Sequence, residues 1–246
     1  PPGTVRVGPA GWSYADWKGI VYPPRMPRSL HPLEYLCDFF DTVEIDSAFY
    51  HPPLARNAAV WAKKVSSNPR FRFTVKLWQR FTHERDVWPG QEPARVYKDG
   101  LAPIVDAGLL GAILVQFPWS FKRAPESRQW LARVLDEFAD YPLVIEVRHA
   151  SWNRPEVYEG LAKRGVGVCN IDQPVFRDSI APGARATSRI GYVRLHGRNA
   201  ADWFREDAGR DDRYNYLYTA NELDAWLRRI DRIRAAAEET YVITNN

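Results

Sequence analysis

The chain is 246 residues long, 45% hydrophobic and 26% charged, which excludes wholesale disorder and fibrous repeats and leaves room for one large core. Lys plus Arg is 34 against Asp plus Glu 30, a net charge of +4 with an isoelectric point near 9.1, so an anionic partner is admitted without being required. No stretch reaches the ~18 apolar residues of a membrane span and none resembles a signal peptide, although the opening Pro1-Pro2-Gly3 leaves a removed leader open.

In chain order, eight short segments rich in β-branched residues read as strands: Val5–Ala10, Thr42–Ser47, Arg72–Leu77, Ala112–Phe117, Leu143–Arg148, Val166–Asp172, Tyr192–His196 and Tyr241–Asn245. Segments of helical period alternate with them: Leu30–Phe40, Asn57–Val65, Arg95–Ala107, Glu126–Phe138, Pro155–Arg164 and Asn221–Glu238. In the last, Leu223, Trp226, Leu227, Ile230 and Ile233 share one face and Arg228, Arg229, Asp231 and Arg232 the other. Eight strands alternating with helices, in about the ~250 residues usual for that architecture, predict an α/β fold, a TIM-barrel-like (β/α)8 barrel forming a single domain over 1–246. A doubly wound open sheet is the rival and usually needs fewer strands.

Connections entering strands are short, with Asp41, Leu110 and Gly165 almost alone between helix and strand. Those leaving strands are long: Gly11–Ser29, Trp78–Pro93, Gln173–Arg189 and Gly197–Ala220. This asymmetry places function at the carboxyl ends of the strands. The two cysteines, Cys37 and Cys169, suit neither a disulfide framework nor a zinc site and read as free thiols of a reducing, cytoplasmic compartment.

Residue parity then sorts each strand into a helix-facing and an axial side. If Val43 and Ile45 face helices, Glu44 and Asp46 face inward. The same argument turns inward Thr74 and Lys76, Glu146 and Arg148, Asn170 and Asp172, and Arg194 and His196, with Gln116 and Asn245 added. Ions are rarely buried unpaired, because desolvation costs several kcal/mol. One reading is a structural ion network, Glu44 with Arg194 or Glu146 with Lys76. The other is a pocket floor on which acids, bases and anion-binding groups converge.

Glu44 with Glu146 or Asp172 could divide acid and base work, and Lys76, Arg148 and Arg194 beside them would favour ionised carboxylates. Glu44, Glu146, Asp172 and His196 could also ligate a divalent metal, an option the neighbouring cations weaken; no cofactor is required. His196 is a candidate acid/base whose alternative is a neutral imidazole bonded to a carboxylate. No dinucleotide, P-loop, hydrolase-elbow or zincin motif occurs. Of the ten tryptophans, Trp61, Trp130 and Trp226 fall on helices, while Trp12, Trp17, Trp78, Trp88, Trp119, Trp152 and Trp203 fall in or beside loops leaving strands. A rim of indoles suits planar ligands such as bases or sugar faces.

Gly8-Pro9-Ala10-Gly11-Trp12-Ser13-Tyr14 with Trp17, Thr42 to Tyr50, Phe71 to Lys76, Thr82-His83, Gln116-Phe117-Pro118, Glu146-Val147-Arg148-His149 with Ser151-Trp152, Asp172, Tyr192 to Gly197 and Asn245-Asn246 follow one another in an order that resembles the YecE-like family, also called domain of unknown function 72. The resemblance spans the first to the last strand and implies a TIM-barrel-like fold; it implies no reaction and no catalytic residues. It also implies a closing C-terminal helix that this sequence, ending at Asn246, does not contain.

The leading expectation is an enzyme that hydrolyses a phosphate-bearing substrate, a nucleotide or nucleic acid. Glu44, Asp46, Glu146, Asp172 and His196 would carry the chemistry, and Trp12, Tyr50, Lys76, Gln116, Arg148, Trp152, Arg194 and Asn245 would bind substrate. A carbohydrate-active hydrolase with paired carboxylates and a non-catalytic binding module are the alternatives. The anionic partner is the substrate, no membrane partner is expected, and oligomeric state is left open.

Overall fold

The computed structural model describes residues 2–27, 29–201, 203, 205, 207, 209 and 215–245. Eight strands form in the predicted places, each boundary within two residues of expectation: β1 Thr4–Pro9, β2 Thr42–Ile45, β3 Arg72–Lys76, β4 Leu110–Gln116, β5 Leu143–Glu146, β6 Gly167–Asp172, β7 Ile190–Leu195 and β8 Glu239–Thr244. Their order in one sheet is β1-β8-β7-β6-β5-β4-β3-β2, and the two end strands meet through a parallel bridge between Ala10 and Glu44. The α-helices are α1 Pro32–Leu36, α2 Ala55–Lys64, α3 Gln91–Asp106, α4 Pro125–Glu137, α5 Pro155–Lys163 and α6 Ala220–Ala236. Parallel neighbours need a crossover between them, and helices supply it except between β6 and β7, where residues 173–189 hold no helix. The fold is TIM-barrel-like.

Helix ends follow local chemistry. Proline stands in the first turn of α1, α4 and α5, where its missing N–H costs nothing. Reciprocal capping boxes, His31 with Glu34 and Thr219 with Glu222, start α1 and α6. After α5, Gly165 takes φ 67°, the left-handed conformation that ends the helix within one residue and turns the chain into β6.

Contacts divide the chain into two compact units, one of residues 1–6 with 114–246 and the other of residues 7–113. In the first, β5 pairs with β6 through Val144↔Gly167, β6 with β7 through Cys169↔Tyr192, and β7 with β8 through Ile190↔Glu239. Val193, Leu195 and Val242 pack with Trp226 and Ile233 of α6. Gly191 lets that helix sit close, since a Cβ there would meet Ile233 at 2.3 Å. The apolar face of α6 is narrower than expected: Trp226 and Ile233 are buried, whereas Leu223 and Leu227 lie on its flank, 41% and 57% exposed.

In the second unit β2 and β3 pair in register from Thr42↔Arg72 to Ile45↔Val75. Leu33, Leu36, Phe71, Phe73, Tyr97, Leu101 and Ile104 are buried, and the Tyr97 hydroxyl donates to the Lys76 carbonyl. Burying such side chains stabilises by about 1.5–3 kcal/mol each.

Candidate functional site

Because Val193 and Leu195 face α6, Arg194 and His196 face the other way, and β5 delivers Glu146 to the same place. Glu146 is completely buried. Its Oε1 accepts from Gln116 Nε2 at 2.7 Å and from Arg148 Nε at 3.1 Å, with Arg148 Nη2 at 2.9 Å and His196 Nε2 at 3.3 Å. Its Oε2 accepts from Arg194 Nη1 at 2.9 Å. The result is a carboxylate caged by two guanidiniums, an amide and an imidazole, the charge-assisted kind of hydrogen bonding that a buried ion needs.

The cage sets the protonation states. Burial by itself would push the Glu146 carboxyl up, but the Arg194 and Arg148 guanidiniums and His196 outweigh it and hold it well below the usual carboxylate range. Burial, and next the charge of Arg148, push the His196 imidazole down to about 3 against the opposing pull of Glu146. His196 is therefore neutral near pH 7. With the Asn245 amide donating to Nδ1 at 3.0 Å, the remaining imidazole proton sits on Nε2 and points at Glu146.

Trp203 completes this side: its ring centroid lies 5.7 Å from the Arg148 guanidinium carbon and 6.3 Å from the His196 ring. Arg148 engages Glu146 through Nε and Nη2, and its side chain is 12% exposed.

Residue parity misassigned β6. Cys169, not Asn170, shares the Glu146 side, its Sγ 3.9 Å from Oε2. Asn170 binds the β6–β7 connection, donating to the Arg185 and Tyr192 carbonyls and accepting from the Arg185 N–H. Asp172, two residues on and on the Asn170 side, takes both oxygens to Arg198 Nε, and Arg198 bridges onward to Glu222 in the α6 capping box. The reason is that Asn170 and Asp172 find polar partners on the outer side, in Arg185 of the β6–β7 connection and in Arg198, so polarity does not mark the axial face of this strand.

Trp152 also differs from a rim residue. It is 2% exposed, stacked on Phe121, and its indole N–H donates to the Phe121 carbonyl at 2.6 Å. It pins loops together.

The unit of residues 7–113 carries the other expected positions. Glu44 is buried, and its carbonyl accepts from the Gly11 and Asp46 N–H groups. Asp46 lies beyond the end of β2, at the start of a 3-10 turn over Ser47–Phe49, which corrects its assignment to the strand. The Tyr14 hydroxyl reaches both the Ala10 carbonyl, at 2.7 Å, and Asp46, at 3.2 Å. Trp12 packs edge-on against Trp61 at 5.2 Å. Lys76 Nζ stands 4.2 Å from the centre of the Phe49 ring, and exposed Tyr50 accepts from the Trp78 indole through its carbonyl.

Sequence reasoning missed Cys169 as a neighbour of Glu146 and Trp203 as a neighbour of Arg148 and His196; the first was hidden by the more polar Asn170 and Asp172 beside it on β6, the second had only loop position to mark it. Asn246 and part of the Gly197–Ala220 connection lie outside the described residues. Among the described residues no three His, Cys, Asp or Glu side chains gather as metal ligands, and the expected set loses Asp172 to the opposite side of β6. Among them, too, no helix is long and apolar enough to cross a membrane.

The fold and site together define a TIM-barrel-like protein with a caged carboxylate at the carboxyl ends of its strands. The family described as protein of unknown function DUF72 matches residues 6–246, and the chain belongs to it. It is 31% identical to the UPF0759 protein YunF of Bacillus subtilis (strain 168) over 255 residues, 98% of this chain and 88% of that one. It also resembles the crystal structure of a DUF72 family protein from Thermotoga maritima MSB8, with 32% identity, a TM-score of 0.87, and 98% and 92% of the two chains covered. A DUF72 family protein of Enterococcus faecalis V583 gives 26% identity and a TM-score of 0.85 over 98% and 89%.

Proposed function

We propose that the protein is a cytoplasmic enzyme that hydrolyses a phosphate-bearing substrate, a nucleotide or nucleic acid, beside Arg148. The observation that carries this reading is the state of Arg148: Glu146 holds it by Nε and Nη2, while its Nη1 edge makes no hydrogen bond among the described residues, on a side chain 12% exposed whose guanidinium carbon lies 5.7 Å from the centre of the Trp203 ring. A phosphate oxygen accepts from that edge, and a base stacks on the indole. The basic isoelectric point near 9.1 favours an anionic substrate, and free, buried Cys37 and Cys169 suit a reducing compartment.

Charge links binding to proton transfer in this scheme. Arg148 helps push His196 down, so a phosphate on Arg148 offsets that push and raises the imidazole's affinity for a proton. Once Nδ1 is released from the Asn245 amide, His196 takes a proton there from the attacking water as the new P–O bond forms, and returns it to the departing oxygen as the old P–O bond breaks. Asp172, on the side of β6 away from Glu146 and held by Arg198, takes no part in this scheme.

The test is titration of single-stranded oligonucleotide and of inorganic phosphate against wild type and Arg148→Gln, with hydrolysis of phosphodiesters followed in parallel. Expected are binding that weakens with salt and with the substitution, and a turnover that Arg148→Gln removes. Binding insensitive to both salt and Arg148→Gln would sink the reading. One observation favours a second reading, a non-catalytic binding module: Glu146 already accepts from four side chains. Phosphate binding with no turnover of any phosphoester would select it.

A further inference from the structure

On the helical side of the 114–246 unit, α4 and α5 enclose a groove of about 190 Å³ that the Glu146 site does not use. Its floor is apolar: Leu131, Leu135, Leu161 and the ring of Trp152, all less than 9% exposed, with Val157 beside them. Its rim is basic. Arg123, Arg128 and Arg164 line it with a single carboxylate, Glu156.

The three arginines are unequally satisfied. Arg164 is paired with Asp136 at 2.6 Å. Arg123 reaches Glu156 only at 3.4 Å through Nη2, and its Nε is buried with no hydrogen-bond partner among the described residues. A buried N–H left unmade is costly, so a ligand that accepts from it gains accordingly. Arg128, exposed one turn into α4, has no ion pair among the described residues. The groove stays open because α5 carries Gly160 on this side, where a Cβ would meet no atom within 4 Å.

We propose that this groove binds an aromatic monocarboxylate of benzoate or phenylacetate size, with its ring against Trp152 and the leucines and its carboxylate on Arg123 and Arg128. The volume fits, since an apolar cavity of about 150 Å³ already takes benzene. The charge fits as well, with an excess of guanidinium over carboxylate on the rim and no cation needed from the ligand. Being on the opposite side of β4–β6 from Glu146, the site is independent of the reading above and can fail without it.

The test uses calorimetric titration of the full chain with benzoate and with neutral benzamide, for wild type, Arg123→Gln/Arg128→Gln and Gly160→Leu. Benzoate saturates wild type, binds the double variant at least about tenfold more weakly, and is excluded by Gly160→Leu, whose side chain enters the groove while Tm holds or rises. Methyl NMR of the wild type gives a second readout that needs no variant: benzoate shifts Leu131, Leu135 and Leu161. The proposal is overturned by the absence of saturable binding up to about 10 mM, by benzamide binding as tightly as benzoate, by retained binding in Gly160→Leu, or by shifts confined to other methyls.

Discussion

The 114–246 unit and the 7–113 unit hold their polar residues by different means. Around Glu146 the protein uses ions: two guanidiniums, an amide and a neutral imidazole converge on one fully buried carboxylate. In residues 7–113 it uses rings. Trp12 meets Trp61, and Tyr14, Trp17, Tyr22, Tyr35 and Phe39 follow one another with centroids 4.8 to 5.8 Å apart. Asp46, half-buried among them, is held by a phenol rather than a cation. The difference teaches that burial decides the device: a dry carboxylate needs charge-assisted partners, whereas loops that keep water contact are ordered by aromatic area with a polar tip.

Glu146→Gln tests the ionic side hardest. It leaves Arg148 and Arg194 without their shared carboxylate and is expected to cost about 3–5 kcal/mol in urea unfolding; a loss below about 1 kcal/mol, the worth of an ordinary hydrogen bond, would erase the contrast between the two units. The pH dependence comes next. His196 titrates near 6.5 when unfolded and about 3 when folded, so the folded state resists a proton that the unfolded state takes up. Stability contributed by neutral His196 is complete above pH 6.5 and is lost as pH falls toward 3, with a slope approaching ~1.4 kcal/mol per pH unit. In His196→Gln, chemical denaturation across that range should show a slope smaller by that amount. Glu146, held low, adds a loss only below the ordinary carboxylate range of ~4.3.

The aromatic side should respond less. Tyr14→Phe removes the one hydroxyl proton shared between the Ala10 carbonyl and Asp46 and is expected to cost about 1 kcal/mol, with little dependence on salt. Of the same order is the coupling of Trp12 and Trp61, about 0.5–1.5 kcal/mol in a double-mutant cycle with leucine replacements. A coupling as large as the Glu146 effect would mean that the rings, too, form a cooperative network.

Strand and helix periodicity made the eight-stranded TIM-barrel-like fold legible, because each element repeats its apolar residues at its own period and buries the face they form. Glu146, Arg148, Arg194 and His196 were legible for the same reason: on β5 and β7 apolar neighbours at alternate positions left polar residues nowhere else to point. On β6 that rule had no purchase, since polar partners stand on its outer side, and Asn170 and Asp172 went to Arg185 and to Arg198 rather than to Glu146. Trp152 could not be told from a rim residue either, as a loop indole reads the same whether it meets solvent or stacks on Phe121.

The sequence by itself determined which elements form, their order and the charged identity of the strand ends, all consequences of local propensity and periodicity. Only the tertiary structure decided which carboxylate is caged, that His196 stays neutral, and that α4 and α5 leave a basic-rimmed groove between them. Those depend on distances between residues 30 and more positions apart in the chain, as Gln116 is from Glu146, and no local pattern encodes a distance of that kind.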